Sequence, residues 1–375
     1  MRIQTLATWL ALAFSTLSHA QAVTPAPSSL TLYGTIDQYL NYMKSSSGAS
    51  IRSLNDGATL RSRVGLRGVE DLGGGMAVRF NLEHGLAADT GAQADGSRFF
   101  DRQAWVGMSS PWGDVRVGRQ NSAVFTRGDQ IDHTTRALGS VVNAFGVPAR
   151  YDNDIAWLSP RLQGLQLELH YAPGEGSGGP SAQAIWQAAV DYTTGPWRLG
   201  YAGLSAASAD GTAYDRRVNY QTLYANVDHG QGKVYAAVVQ SNNSTGTAAT
   251  SANASGILGY TGALVAGTNA DVNRSYRILQ VSSDYRITPS WRVGALWGKV
   301  MDRSHTQHGA TGYAVSSFYD VSKRTSLMLS WDSLSNEDNA GFRPAGSGAV
   351  SPNFTQGDVN GQRIQGLHAG VLHRF

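Results

Sequence analysis

Leu165-Gln166-Leu167-Glu168-Leu169-His170-Tyr171 alternates without a break. Side chains on an extended chain point to opposite faces with period two. Leu165, Leu167, Leu169 and Tyr171 therefore share one face, and Gln166, Glu168 and His170 share the other. Working outward, the same pattern recurs. Met76, Val78, Phe80 and Leu82 oppose Arg79, Asn81 and Glu83. Leu30, Leu32, Ile36 and Leu40 oppose Thr31, Tyr33, Asp37 and Asn41. Val64 and Leu66 interleave with Arg61, Arg63 and Arg67, and Leu327, Leu329 and Trp331 with Ser330 and Asp332. No helical 3.6 period is sustained.

Compact turn signals separate alternate pairs of these segments: Asp71–Gly75, Pro111–Asp114, Ser159–Gly164, Thr194–Pro196, Ile287–Ser290 and Ser322–Arg324. Gly and Pro supply the backbone angles of such turns. Long polar connections separate the others, roughly over 44–57, 86–97, 122–148, 174–183, 205–217, 241–272, 301–310 and 335–360. About sixteen strands with alternating short turns and long loops predict an all-β, sixteen-stranded antiparallel transmembrane barrel.

A soluble sandwich would alternate too, with its apolar face inside. The polar face here carries too much charge for a dry core, as Arg61, Arg63, Arg67, Arg79, Glu83, Glu168, Asp191 and Asp332 show. A water-filled lumen tolerates them. Trp112, Trp157, Trp197 and Trp291 fall beside short turns, as in an interfacial aromatic girdle.

Composition agrees. The 375 residues are 15% charged and 41% hydrophobic, with 44 glycines and a net charge of +3. Charge is low against the ~25% of soluble domains, and repeated ~20-residue apolar runs are absent from the body of the chain. With no cysteine, disulfides, thiolate metal sites and cysteine nucleophiles are excluded. The small net charge gives no reason to expect nucleic acid as a partner. Arg2, the apolar stretch Leu6–Leu17 and Ser18-His19-Ala20 read as a signal peptide over 1–20. The barrel is then expected over 21–375.

The chain resembles the Gram-negative general porins, and the β-proteobacterial outer-membrane porins in particular. The likeness lies in Leu30-Thr-Leu-Tyr-Gly-Thr-Ile-Asp37, Ser62-Arg-Val-Gly-Leu-Arg-Gly-Val-Glu-Asp-Leu-Gly-Gly-Gly75, Phe99-Phe-Asp-Arg-Gln-Ala-Trp-Val-Gly107, Gly118-Arg-Gln120, Tyr151-Asp-Asn-Asp-Ile155 and Leu372-His-Arg-Phe375, in order along the chain. The resemblance implies a homotrimer in the outer membrane, among lipid and lipopolysaccharide. It implies a third external loop folded into the lumen, here 122–148, and a terminal Phe375 read by the barrel-insertion machinery. It implies passive diffusion of ions and small hydrophilic solutes, with no cofactor.

On that reading Asp129 and Asp132 in the loop would face Arg61, Arg63, Arg67 and Arg79 on the wall, with Glu83 and Arg119 nearby. The arginine-rich wall predicts a mild anion preference. A substrate-specific channel for a small anion is the alternative; a closed-barrel adhesin or enzyme is a third. No Gly-x-Ser-x-Gly surrounds a serine. His305 and His308 read as a solvated loop pair rather than as a metal site.

Overall fold

A computed structural model describes residues 28–173, 184–206, 217–242, 275–347, 354 and 356–375. The expected signal peptide and most of the charge-free stretch after Ser241 lie outside them. The chain forms one closed antiparallel sheet. Its strands are β1 (Ser29–Ser45), β2 (Ser50–Asp56 with Arg63–Gly73), β3 (Met76–Ala87), β4 (Gln103–Ser110), β5 (Gly113–Asn121), β6 (Arg150–Leu158), β7 (Leu165–Ala172) and β8 (Ile185–Thr194). They continue with β9 (Trp197–Ala206), β10 (Val218–Asp228), β11 (Lys233–Ser241), β12 (Tyr276–Thr288), β13 (Trp291–Asp302), β14 (Ala310–Asp320), β15 (Thr325–Asn336) and β16 (Arg363–Arg374).

Strand β2 is in two segments, Ser50–Asp56 and Arg63–Gly73. They pair with the upper and lower halves of β1 and make one strand of the sixteen. A two-residue ladder, Ala92–Gln93, pairs only with the end of β3. The barrel closes where β1 meets β16, in register from Thr35 opposite Arg374 to Ser45 opposite Ile364. Phe375 completes the seam: its amide donates to the Gly34 carbonyl and its own carbonyl accepts from the Gly34 amide, each at 3.1 Å. No helix among the described residues is long and apolar enough to cross a membrane.

The alternation is inverted relative to a soluble sheet. Leu30, Leu32, Leu40, Leu167, Leu169, Leu223, Leu329 and Leu367 are exposed on the outer wall. Asp37, Asn41, Glu83, Glu168, His170, Asp191, Gln280 and Asp332 are buried inside. A closed barrel in lipid satisfies every wall backbone group between strands, so its outside can be apolar. Trp112, Trp197 and Trp291 stand exposed beside the short turns as expected.

The sequence reading set the first long connection at 44–57. Instead β1 runs on to Ser45 and pairs with Ser50–Asp56, leaving a tight turn at 46–49. The irregular part is 57–62, inside β2. There Asp37 of β1 accepts the amides of Ala58, Thr59 and Leu60 at 3.2, 2.8 and 2.7 Å. One buried carboxylate thus holds the break open.

Candidate functional site

The connection from β5 to β6, residues 122–149, folds into the lumen. Ser122 closes its neck, donating through its hydroxyl to Pro148 O at 2.6 Å and through its amide to Ala149 O at 2.9 Å. A turn at Phe125–Arg127 leads into two short helices, α1 (Gly128–Ile131) and α2 (Val141–Phe145). Ser140 caps α2 by accepting the Asn143 amide, and Gly146 leaves it at φ 101°.

Each part of the loop is tied to a different piece of wall. Arg127 donates to Glu168 at 2.6 Å. Glu168 in turn meets one ring nitrogen of His170 at 2.8 Å, and Asp154 meets the other at 2.6 Å. Charges alternate along this chain from loop to wall. Burial works against the Arg127 charge, but Glu168 outweighs it and raises its pKa. Further along, Asn226 donates to the Gln130 carbonyl at 3.1 Å.

Asp132 is the hub. It accepts from the Thr134 amide and hydroxyl (2.9 and 2.7 Å), the Arg136 amide (2.9 Å), the Ser140 hydroxyl (2.8 Å) and Gln280 of β12 (2.8 Å). It is fully buried. Its carboxylate organises the loop tip and faces no open pore. Thr135 and Arg136 follow at φ 60° and 59°, a left-handed pair that non-glycine residues hold only when surrounding bonds impose it.

Small residues make the seat beneath. A Cβ on Gly298 would come 2.8 Å from Val141 Cβ, and one on Gly312 2.5 Å from its Cγ2. The His133 ring lies on Gly294 in the same way. Arg292 donates to the His133 carbonyl at 3.0 Å and to Asp284 at 2.8 Å. Burial pushes the His133 imidazole down to about 4. Phe145 packs against Tyr276 and Phe342, with centroids 5.2 and 5.9 Å away. The Ala144-Phe-Gly146 stretch is thus the loop's return, and its tip is 132–138. The tip crosses to the far wall, where the Leu138 amide donates to Ala58 O in the β2 break at 3.3 Å.

A second element joins it. The last connection, β15 to β16, sends 337–347 down into the lumen. Asn143 of α2 donates to Ala345 O and Gly346 O at 2.6 and 3.1 Å. Ser347 donates through its amide to Gly57 O at 2.8 Å and through its hydroxyl to Thr59 O at 2.7 Å. This strap links the loop to the β2 break. The sequence reading had no signal for it beyond the length of the connection.

Opposite the seat, the wall of β2–β6 is basic. Arg102 donates to Glu83 at 2.6 Å, with Arg63 3.6 Å from the same oxygen. The Tyr33 hydroxyl donates to the other Glu83 oxygen at 2.9 Å. Arg119 reaches Asp152 at 2.5 Å, and Arg98 shares that carboxylate at 2.8 Å. Arg61 donates to Ala94 O at 3.3 Å. Arg136 from the loop tip and Arg150 stack on the Phe125 ring, 3.9 and 4.8 Å from its centroid. Burial takes the pKa of Arg136 down to about 10. Asp56, Asp95 and Asp101 also stand near Arg61, so seven arginines here meet five wall carboxylates, a modest excess.

The expected residues separate into groups. Arg61, Arg63, Glu83 and Arg119 come together in this cluster, joined by Arg102, by Arg150 at the loop's end and, through the Phe125 ring, by Arg136 of the loop. Arg67 lies lower, exposed and 5.2 Å over the Tyr33 ring. Arg79 lies beside the short turns, paired with Asp114 at 3.3 Å. Asp129 is exposed and lines, with Thr134, Thr135, Arg292, Asp320 and Arg374, a cavity of about 440 Å3 on the short-turn side of the loop. His308 is buried against Asp302 at 3.6 Å, while His305 stands on the outer rim. Among the described residues no group of three or more His, Cys, Asp or Glu could hold a metal ion.

A family model described as Gram-negative porin matches residues 7–339. Outer membrane porin protein 32 of Delftia acidovorans is 28% identical over 95% of this chain and 97% of its own. An outer membrane porin of Bordetella pertussis is 31% identical over 43% of this chain and 47% of its own length. Among solved structures, the anion-selective porin from Comamonas acidovorans superposes with a TM-score of 0.74 at 22% identity, covering 93% of this chain and all of that one.

Proposed function

The chain belongs to the Gram-negative porin family, and from that premise we propose that it is an anion-preferring channel with its selecting field on the β2–β6 wall. The protein is an outer-membrane porin, a conduit for ions and small hydrophilic solutes rather than an enzyme. The observation that carries the selectivity is an imbalance. Arg61, Arg63, Arg102, Arg119, Arg136 and Arg150 gather where the loop narrows the lumen, and Asp132, the acid nearest the loop tip, is consumed by five internal hydrogen bonds. Fixed charges in a narrow, low-dielectric passage concentrate counter-ions and govern which ion crosses.

The constriction loop of 122–148 and the roles of Arg61, Arg63, Glu83 and Arg119 belong to this proposal. Arg67, Arg79 and Asp129 act as vestibule charges. We further propose a homotrimer, export by a signal peptide over 1–20, and recognition of Phe375 during insertion. The chain is similar in fold to OmpT of Vibrio cholerae, solved in a trimer form (TM-score 0.61, 12% identity).

The test is the reversal potential of the refolded protein in a planar bilayer under a KCl gradient. Chloride preference is expected. Cation preference would move the selecting role to Asp129 and the other lumen acids. Absence of conductance from folded protein would overturn the channel. A saturable block by one small anion would mark a substrate-specific channel, which the closeness of the arginines also favours.

A further inference from the structure

The cavity beneath the inward loop differs in charge from the arginine-rich section beside the loop. Its volume of about 440 Å3 is within the range of small-molecule sites. Asp129 of α1 and Thr135 close it from the loop side, and Arg292, Asp320 and Arg374 belong to the wall of β13–β16.

Register sets that wall in levels. Arg292 is opposite Phe318, and Phe318 is opposite Met328. Two residues nearer the short turns, Asp320 is opposite Ser326, and Ser326 is opposite Leu372. Arg374 follows on the same face of β16. Phe318, Met328 and Leu372, with Leu60 from the β2 break, make an apolar patch between the charges. The Thr59 hydroxyl holds one edge of the patch, donating to the Met328 sulfur at 3.6 Å.

Two of the four charges are already engaged. Arg292 donates to Asp284 and to the His133 carbonyl, and lies 4.5 Å over the Phe318 ring centroid. Asp320 accepts the Ser326 hydroxyl at 2.6 Å. The other two are open. Asp129 and Arg374 are exposed to the cavity, and among the described residues neither side chain has an ion pair or a hydrogen bond. The lining thus offers one carboxylate and one guanidinium, with apolar surface between them.

A simple anion drawn to Arg374 meets Asp320 and Asp129 in the same cavity, and a simple cation drawn to Asp129 meets Arg292. A solute that carries both charges matches both, and complementarity of this kind gives specificity. We propose that the cavity is a subsite for a zwitterionic solute with an apolar side chain, of the amino-acid type. Its ammonium lies on Asp129, its carboxylate on Arg374, and its side chain against Phe318, Met328 and Leu372. The short turns of such a barrel face the periplasm, so the subsite holds a solute that has cleared the arginine-rich section. The inference deepens the channel reading and rests on it for the route by which the solute arrives.

The experiment isotope-labels the methionine methyl groups of the refolded barrel and follows the Met328 methyl by NMR, assigned through its loss in Met328→Leu. Met328 lines the cavity and is no part of the arginine cluster, so the signal reports this subsite. L-Leucine is titrated against isocaproate, which lacks the ammonium, isoamylamine, which lacks the carboxylate, and glycine, which lacks the side chain. Leucine should bind about fivefold more tightly than isocaproate or isoamylamine, the worth of one solvated charge pair. Asp129→Asn should abolish the preference over isocaproate and keep that over isoamylamine; Arg374→Gln should do the reverse. Both side chains are solvated, so the ladder and the fold are kept. Equal binding of leucine and isocaproate by the native barrel, or a preference that survives Asp129→Asn, would overturn the proposal. So would glycine binding as tightly as leucine. Conductance in KCl is measured on the same preparation. A barrel that conducts without preferring leucine would sink the subsite and leave the channel. One that binds leucine in this pattern yet never conducts would sink the channel and leave the subsite standing.

Discussion

Two facing walls of one lumen, built from the same alternating strands, have opposite characters. Inward positions on β12–β14 are mostly small or uncharged, with Gly294, Gly298, Ser282 and Gln280 seating the loop, and the charges of Asp284 and Arg292 meet each other. Inward positions on β2–β6 and the adjoining segments bring Arg61, Arg63, Arg102, Arg119 and Arg150 around Glu83 and Asp152. The first wall is shaped to be covered, and its partners satisfy it locally. The second packs buried arginines against Glu83 and Asp152, with a modest excess of positive charge. Alternation fixes only which residues look inward. Whether an inward residue builds or selects depends on where the loop comes down.

The strongest way to break this division is to release the loop from its seat. Asp132→Ala removes the acceptor of five donors, four of them in the loop itself. Leaving these buried donors without their acceptor should destabilise its folded form by roughly 3–5 kcal/mol. The barrel ladder is untouched, so the protein should still fold and insert. Its single-channel conductance should rise and its anion preference fall, and trypsin should cut at Arg136, which is buried in the native loop. Unchanged conductance with an intact loop would mean that the seat holds without its hub. Asn143→Ala, which frees the strap from α2, should raise conductance by less and leave Arg136 protected.

The second break is on the other wall. Arg102→Gln leaves Glu83 with Arg63 and Tyr33 and removes one charge from the narrow section. At the dielectric of bulk water a unit charge about 4 Å from the passing ion is worth about 1 kcal/mol, roughly a fivefold fall in chloride-to-potassium permeability. The change should be read at 0.1 M KCl and should shrink at 1 M, where screening acts over ~3 Å. An undiminished preference would remove the arginine cluster from the selecting role.

Much of this was legible in the sequence. Period two through Leu165–Tyr171 gave the strand type and its two faces, and the turn spacing gave the closed barrel. Arg61 and Arg63 were recognisable as wall arginines because they share a face with a neighbouring strand's Glu83. Arg102 was not, because it sits just before a strand begins, where alternation does not apply. Asp132 was visible as a loop acid, but five convergent donors from Thr134, Arg136, Ser140 and Gln280 depend on a tertiary turn that no spacing encodes. The strap is hidden for the same reason: Asn143 and Ala345 lie far apart in the chain and meet only in the lumen.

Acid should loosen the seat before it touches the selecting wall. His133 is held neutral by burial, against Asp132 and beside Arg292 and Asp284, and its pKa falls from 6.5 to about 4. Between those two values the unfolded loop binds a proton that the seated loop does not. The seated form is therefore at full stability above pH 6.5 and loses it as pH drops toward 4, by about 3 kcal/mol in all. Current noise from loop excursions should grow over that window and be absent in His133→Phe. A flat profile in the native protein would show that the ring titrates freely.

The smallest effects should come from the two vestibule charges, and they sharpen the comparison most. Arg67 and Asp129 were expected beside the cluster, yet both are exposed and away from it, Arg67 over the Tyr33 ring and Asp129 in the cavity on the short-turn side of the loop. At 0.1 M salt a charge acts over ~10 Å, and exposed groups contribute about 0–1 kcal/mol. Arg67→Gln should therefore lower anion preference by less than about twofold, and Asp129→Asn should raise it by as little. If Arg67→Gln matched Arg102→Gln, the selecting field would extend down the whole β2 wall, and the narrow section would lose its privilege. If neither variant moved the reversal potential, selection would be confined to the level where the loop tip meets Ala58. That confinement is what a built wall facing a bare one predicts.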